Sequence, residues 1–185
     1  MTENERVISE TRAWVTKVVA GCNFCPFVAK EIREDAIHYQ ASSATGLSAA
    51  LADFLLECRR LDDHPIHTAL LIIPDGFGDF DSYLELVALA EELLAREGYE
   101  GIYQVAGFHP RYCFAGADDT DPANYTNRSM YPMLHLLREA SVTAALTNYP
   151  DPAAIPEKNI RFSRARGLAW MQQLRSSCLT GTDHN

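Results

Sequence analysis

The stretch "HTALLIIP", His67–Pro74, decides the fold. Its aliphatic run is too short for a core helix and shows no alternation, so it reads as a strand buried on both faces, as in a parallel sheet. Pro74 has no N–H to donate and closes it. Helical periodicity flanks the strand on both sides. Leu47, Leu51, Phe54, Leu55 and Cys58 share one face of a helix over Leu47–Leu61. Downstream, Asp79 or Asp81 caps an amphipathic helix that runs to about Arg96 and stops at Gly98.

Two further strands follow from the pattern. Ala36–Ala41 alternates apolar and polar residues, and "GIYQVAGFHP" delivers Phe108 and His109 just beyond its carboxyl end. Strand–helix–strand–helix–strand predicts an α/β fold: a small, mostly parallel sheet of three to four strands flanked by helices, with His67–Pro74 in the middle. Extra helices are expected at both ends. Val7, Trp14, Val15, Val18 and Val19 mark the first, which Gly21 stops, and "NFCPFVAKEI" begins another with Pro26 at its first position. Helices are also expected over Met130–Ala140 and after Pro156, with a bend at Gly167 and a frayed tail from about Ser176. "NYPDPAAIP" is a connection within a single domain spanning 1–185.

A chain of 185 residues, 47% hydrophobic and 22% charged, can bury a core without disulfides or metal staples. A net charge of −9 argues against a nucleic-acid partner, which needs clustered cations. Arg161, Arg164 and Arg166 read as a solvated helix face. "MTENERVISE" has neither the basic nor the apolar region of a secretory signal, and the longest apolar run, Ala69–Pro74, falls far short of the ~20 residues of a membrane span. Five unevenly spaced cysteines are expected to stay reduced in a cytoplasm, which leaves the sequons at Asn124 and Asn127 silent. The expected partner is a small molecule, with no membrane, and oligomeric state is left open.

The chemistry-bearing residues concentrate in "DPANYTNRSMYPMLHLLREA", residues 121–140. On the predicted helix, Tyr131, His135 and Glu139 recur every four residues and stack about 6 Å apart per step. Ser129 would cap it, and free N–H groups beside Asn127 and Arg128 would form an anion pocket, with Asn124 and Tyr125 in the same polar loop. The plainer alternative pairs Arg128 and Glu139 with other elements and lets His135 fill a polar corner. In "GFHPRYCFAG", His109 is a candidate acid–base group at a strand end, with Tyr112 to orient it; its alternative is a hydrogen bond to the turn before Pro110. His38, His64 and His67 look like ordinary element residues, and His184 lies in the tail.

Cys25 is a candidate nucleophile, since a helix N-terminus favours the thiolate. With Cys22 it forms a C-x-x-C, but thioredoxin-like motifs follow a strand and this one follows a helix. Cys22, Cys25, His109 and Cys113 could assemble a zinc site, though the second tight pair is missing. Cys25–Pro26 also matches a minimal haem-binding dipeptide. The plain reading of both cysteines is a pair of small buried hydrophobes. Phosphate-binding, dinucleotide, nucleophile-elbow and zinc-protease signatures are absent from the sequence.

Together, "NFCPF", "FHPRYCFAG" and "NYTNRSMYPMLHLLREA" resemble a bacterial family of unknown function, the DUF fourteen-fifteen family, along nearly the whole chain to "IPEKNI" and the final "GLAW". In that family an aliphatic residue usually stands at the Cys22 position and proline at the Met130 position, which counts against readings that need both cysteines. Cys25, His109, Arg128 and His135 fall on the family's motif positions. The resemblance implies a single-domain bacterial protein and no particular activity.

These residues lead to one expectation and two rivals. The first is a small cytoplasmic enzyme acting on a small polar or anionic metabolite. His109 and His135 would serve as acid–base groups, Arg128 and Asn127 would hold the anion, Tyr131 would position or donate, Glu139 would orient His135, and Cys25 would be a possible nucleophile. The second is a metal- or haem-binding protein using Cys25, His109 and His135. The third is a non-catalytic interaction module.

Overall fold

The computed structural model describes residues 1–147 and 149–180, so His184 and the first residue of "NYPDPAAIP" lie outside the described residues. Helix α1 spans Glu3–Trp14, started by a capping box in which Thr2 and Glu5 satisfy each other's backbone N–H. It widens into a π turn, Val15–Ala20, seen in the i→i−5 bonds from Gly21 N to Thr16 O (3.0 Å) and Phe24 N to Val19 O (2.9 Å). Gly21 permits this turn because a Cβ there would lie 2.2 Å from Lys17 O. Gly21→Ala should therefore break the turn and lower unfolding stability by about 2–3 kcal/mol, read from urea denaturation. An unchanged midpoint would mean that the π turn does not depend on Gly21.

After the π turn come α2 (Val28–Arg33), β1 (Ile37–Ala41), α3 (Leu47–Asp63) and β2 (Thr68–Ile72). Next are α4 (Phe80–Arg96), β3 (Tyr103–Phe108), a 3-10 turn (Pro122–Thr126) and β4 (Met133–Arg138). The last helices of the described residues are α5 (Glu139–Thr147), α6 (Ile155–Arg166) and α7 (Leu168–Ser176). Asp79 caps α4 by accepting from Ser82 N at 2.9 Å. Beyond α4, Gly98 takes the left-handed conformation (φ +82°).

The protein is an α/β fold with a four-stranded sheet in the order β1-β2-β4-β3. β2 is central and buried at every position, as its unbroken apolar run predicts. The sheet is mixed rather than mostly parallel: β1 and β2 are parallel, whereas β4 runs antiparallel to β2 and β3. The change comes from residues 133–138, expected as helix and found as strand. A spacing of four fits a helix face, but it also fits one face of a strand, where side chains repeat every two residues. Leu134 and Leu136 pack toward α3 and α4, while Met133 packs on the other side. Insertion between β2 and β3 pairs the backbone of β4 on both edges, and Pro132 disfavours helical backbone at Tyr131.

Each sheet face carries its own core. Phe54, Leu61, Ala69, Leu71, Leu86 and Leu134 fill the side under α3 and α4. Val7, Trp14, Val18, Leu70, Ile72, Met133 and Met171 fill the other, under α1, the π turn and α7. Gly107 on β3 allows Tyr83 to reach across: its hydroxyl donates to Met133 O at 2.9 Å, and a Cβ at position 107 would lie 2.6 Å from that hydroxyl.

The C-terminal region is ordered further than expected. Cys178 is buried, and Thr180 donates to Glu10 Oε1 through its N–H (2.9 Å) and hydroxyl (2.7 Å). Glu10 is fully buried on α1. Burial alone would raise its carboxyl, but hydrogen bonds from Tyr131 and Thr180 and the charge of Arg6 hold it below its ordinary value. This cluster ties α1 to the segment after α7.

Candidate functional site

On the α1 face of the sheet, the π turn, α2 and α5 line a half-open cavity of about 280 Å³. Val15 and Val19 of the π turn, Leu70 and Leu137 of the sheet, and Val142 and Ala145 of α5 make its wall mostly apolar. A few polar residues interrupt that wall: Glu31, His67, Thr68, His135 and Ser141, with the Cys25 thiol beside them and Arg138 at its edge, its guanidinium turned to Leu61 O.

His135 projects from the middle of β4 on the same face as Met133. Its Nε2 lies 2.6 Å from Thr68 Oγ1, and the Thr68 hydroxyl donates to Leu136 O at 2.7 Å. With its only proton committed there, Thr68 accepts from Nε2–H, and Nδ1 is left as an acceptor with no protein partner among the described residues. Burial lowers the pKa of the imidazole to about 4, so the ring is neutral at physiological pH.

His67 immediately precedes β2 at the cavity wall. Its Nδ1 is 2.7 Å from Glu31 Oε2 on α2; a carboxylate only accepts, so neutral His67 carries its proton on Nδ1. Its Nε2 lone pair has no partner among the described residues. The side chain is 35% exposed. A carboxylate that fixes the tautomer of a histidine and stabilises its cation is a recurring arrangement in proton transfer. The sequence reading passed over His67 and Glu31. The signal available was a His-Thr pair opening an otherwise aliphatic buried strand; nothing marked Glu31, 36 residues away in the chain.

Cys25 also lines the cavity and is partly buried. Helix α2 begins at Val28 and is preceded by Phe27, so Cys25 stands before the helix instead of capping it, and Pro26 is outside it. Burial pushes the thiol up; the Phe27 and Val28 amides favour the thiolate but do not overcome it. The resting species is the protonated thiol.

The other candidates are placed elsewhere. His109 lies by Tyr83 and Phe80 of α4, with ring centroids 4.8 and 5.2 Å away, on the face opposite His135. Its Nε2–H donates to Phe77 O at 2.9 Å, and its Nδ1 accepts from Arg111 N at 3.0 Å. Neither nitrogen is free for acid–base work or ligation in this arrangement, and burial lowers its pKa. The sheet separates His109 from Cys25 and His135, so the three do not form one ligand set. Among the described residues, no group of three or more His, Cys, Asp or Glu side chains is arranged to hold a metal ion. The four-residue zinc set of Cys22, Cys25, His109 and Cys113 is therefore not assembled, and all five cysteines are free.

The polar loop turns out to be stitched to itself. Arg128 Nε donates to Tyr112 O (2.8 Å), its NH2 donates to Asp119 O (2.9 Å) and Asp119 Oδ1 (2.6 Å), and the guanidinium lies 5.0 Å from the Tyr125 ring centre. Asn124, fully buried, accepts from Phe114 N at 3.0 Å and donates to Asp118 O at 2.9 Å. Asn127 donates to Gly107 O at 3.3 Å. The expected anion pocket is thus filled by the protein's own backbone. Tyr112 packs against Phe80 and Phe114.

Tyr131 donates its hydroxyl to Glu10 and accepts from Arg6 at 3.2 Å, away from the cavity. Burial and the Glu10 carboxylate push its phenol up to about 12, so it remains a donor. Glu139 starts α5, and Thr68 takes the role of orienting His135. On a strand, residues four apart are separated by about 13 Å, more than twice the helical distance.

A family model described as a protein of unknown function (DUF1415) matches residues 6–173. Neither the curated proteins nor the solved structures contain a match to the chain.

Proposed function

We propose, from the premise that the chain belongs to the DUF1415 family, that it is a small cytoplasmic enzyme acting on a small, mainly apolar molecule by histidine acid–base chemistry. The observation that carries this reading is a pair of histidines on one cavity wall, each with one ring nitrogen held by the protein and the other unpartnered. In the proposed division of labour His67 is the base: Nε2 takes a substrate proton while Glu31 steadies the resulting imidazolium. His135 stays neutral and accepts a hydrogen bond from substrate O–H or N–H at Nδ1. Cys25 serves as a protonated thiol that lines the site. The apolar wall lowers the local polarity and strengthens the polar contacts made against it. The reading includes no nucleic-acid partner, which the net charge of −9 supports.

The test is conversion of a metabolite extract by purified protein, followed by mass spectrometry. His67→Gln should slow loss of the converted component by roughly 10²–10⁴-fold. Equal conversion by wild type and His67→Gln would remove His67 as the base. An unconverted component that binds both proteins equally would replace catalysis with simple binding.

A further inference from the structure

A second cavity, of about 340 Å³, lies between the end of the π turn, the 3-10 turn and the start of α6. Val19, Cys25 and Phe108 line both this cavity and the one holding His67 and His135. The two chambers therefore share a partition. Phe108 forms much of it, with its ring centroid 5.0 Å from Trp14 and 5.7 Å from His135.

Both chambers present hydrogen-bond acceptors without protein partners among the described residues. In the second, Asn159 donates through Nδ2 to Phe24 O at 2.8 Å, and Asn127 donates through Nδ2 to Gly107 O at 3.3 Å. Each amide keeps a second N–H, and Asn159 Oδ1 is left as an acceptor without a partner among the described residues. The first chamber presents His135 Nδ1 and His67 Nε2 as acceptors, with the Glu31 carboxylate beside His67. Histidines aside, Arg138 is the one basic residue on either wall, and its guanidinium is turned through the sheet to Leu61 O and the Tyr103 ring. A carboxylate or phosphate would find no cation here, whereas an amine or hydroxyl would find acceptors at both ends.

We infer that the ligand is an elongated amphiphile bearing amino or hydroxyl groups, uncharged or cationic, whose chain passes Cys25 and Phe108 to occupy both chambers. This inference rests on the proposed site in the first chamber and extends it by naming the ligand class. Aromatic and thiol side chains at the partition offer a soft, apolar passage for methylenes. The donor groups at the two ends fix direction and register.

The experiment is calorimetric titration with three probes: octan-1-ol, 12-amino-1-dodecanol and 12-hydroxydodecanoate. Wild type is compared with Val142→Trp, which fills the first chamber, and Ile160→Trp, which fills the second. Ala145→Phe and Ile155→Trp are the replacements if either variant does not fold. The amino alcohol should bind wild type at least tenfold more tightly than the hydroxy acid and lose at least tenfold in each filled variant. Octan-1-ol should lose affinity in Val142→Trp alone. If the amino alcohol is weakened by Val142→Trp and unaffected by Ile160→Trp, the two-chamber ligand is overturned and the first-chamber site stands. If the hydroxy acid binds as well as the amino alcohol, the ligand class is overturned. If neither alcohol binds wild type, or Val142→Trp has no effect, the first-chamber site itself fails.

Discussion

Lowering the pH from 7 to 4 should remove roughly 3 kcal/mol of stability from the wild-type protein that the His135→Phe variant keeps. The cause is the difference between an ordinary imidazole, near 6.5, and the folded His135 ring, held down to about 4 by burial. Between those values the unfolded chain binds a proton that the folded chain refuses. Acid therefore favours unfolding throughout that window. Above 6.5 both states are neutral at this residue and the contribution is fully present; below 4 it is lost. The ring sits among Thr68, Phe108, Leu70 and Leu137 with no carboxylate bonded to it, so nothing nearby compensates a charge. Urea denaturation at pH 7 and pH 4 measures the difference. His38 and His109 are also held down by burial, so a smaller slope should remain in the variant. Parallel stability curves for the two proteins would mean that His135 is not enclosed as described.

Arg128→Ala should destabilise the protein by about 3 kcal/mol and loosen residues 112–119. Arg128 is 8% exposed, and its guanidinium bridges Tyr112 O, Asp119 O and the Asp119 carboxylate, with Tyr125 beside it. Removing it leaves Tyr112 O without its donor and Asp119 O with only the long bond from Asn124, and opens space beside the Tyr125 ring. Arg128→Lys should recover little, because one ammonium cannot span both carbonyls in the geometry of a planar fork. Hydrogen exchange should show faster exchange at Phe114 N, which Asn124 holds in the same loop. Equal stability of wild type and Arg128→Ala, together with loss of affinity for an anionic ligand, would restore the anion-pocket role that this geometry argues against.

His109, His135, Cys25, Arg128 and Asn124 were all visible as unusual residues in the chain, and the structure gives each a place. Their roles divide by sheet face. His109 follows β3 and turns toward α4, while His135 projects from β4 toward the π turn. That division required the register of β4 between its neighbours, which depends on residues more than 60 positions apart: Leu70 faces His135. The Glu31–His67 pair escaped notice for a related reason. A carboxylate and an imidazole separated by 36 residues have no local signature until α2 is laid beside the start of β2.

The sequence by itself determined the α/β class, the central buried strand, the helices α3 and α4 that follow from periodicity, with the Asp79 cap on α4, and the set of polar residues worth explaining. These are local properties, set by apolar spacing and backbone preference within about twenty residues. Only the tertiary structure decided that residues 133–138 are a strand, that Arg128 and Asn124 brace a loop, and that His67 and His135 meet at one cavity. A four-residue spacing is compatible with both helix and strand, and the choice falls to the backbone pairing and the burial on two faces that β2 and β3 supply.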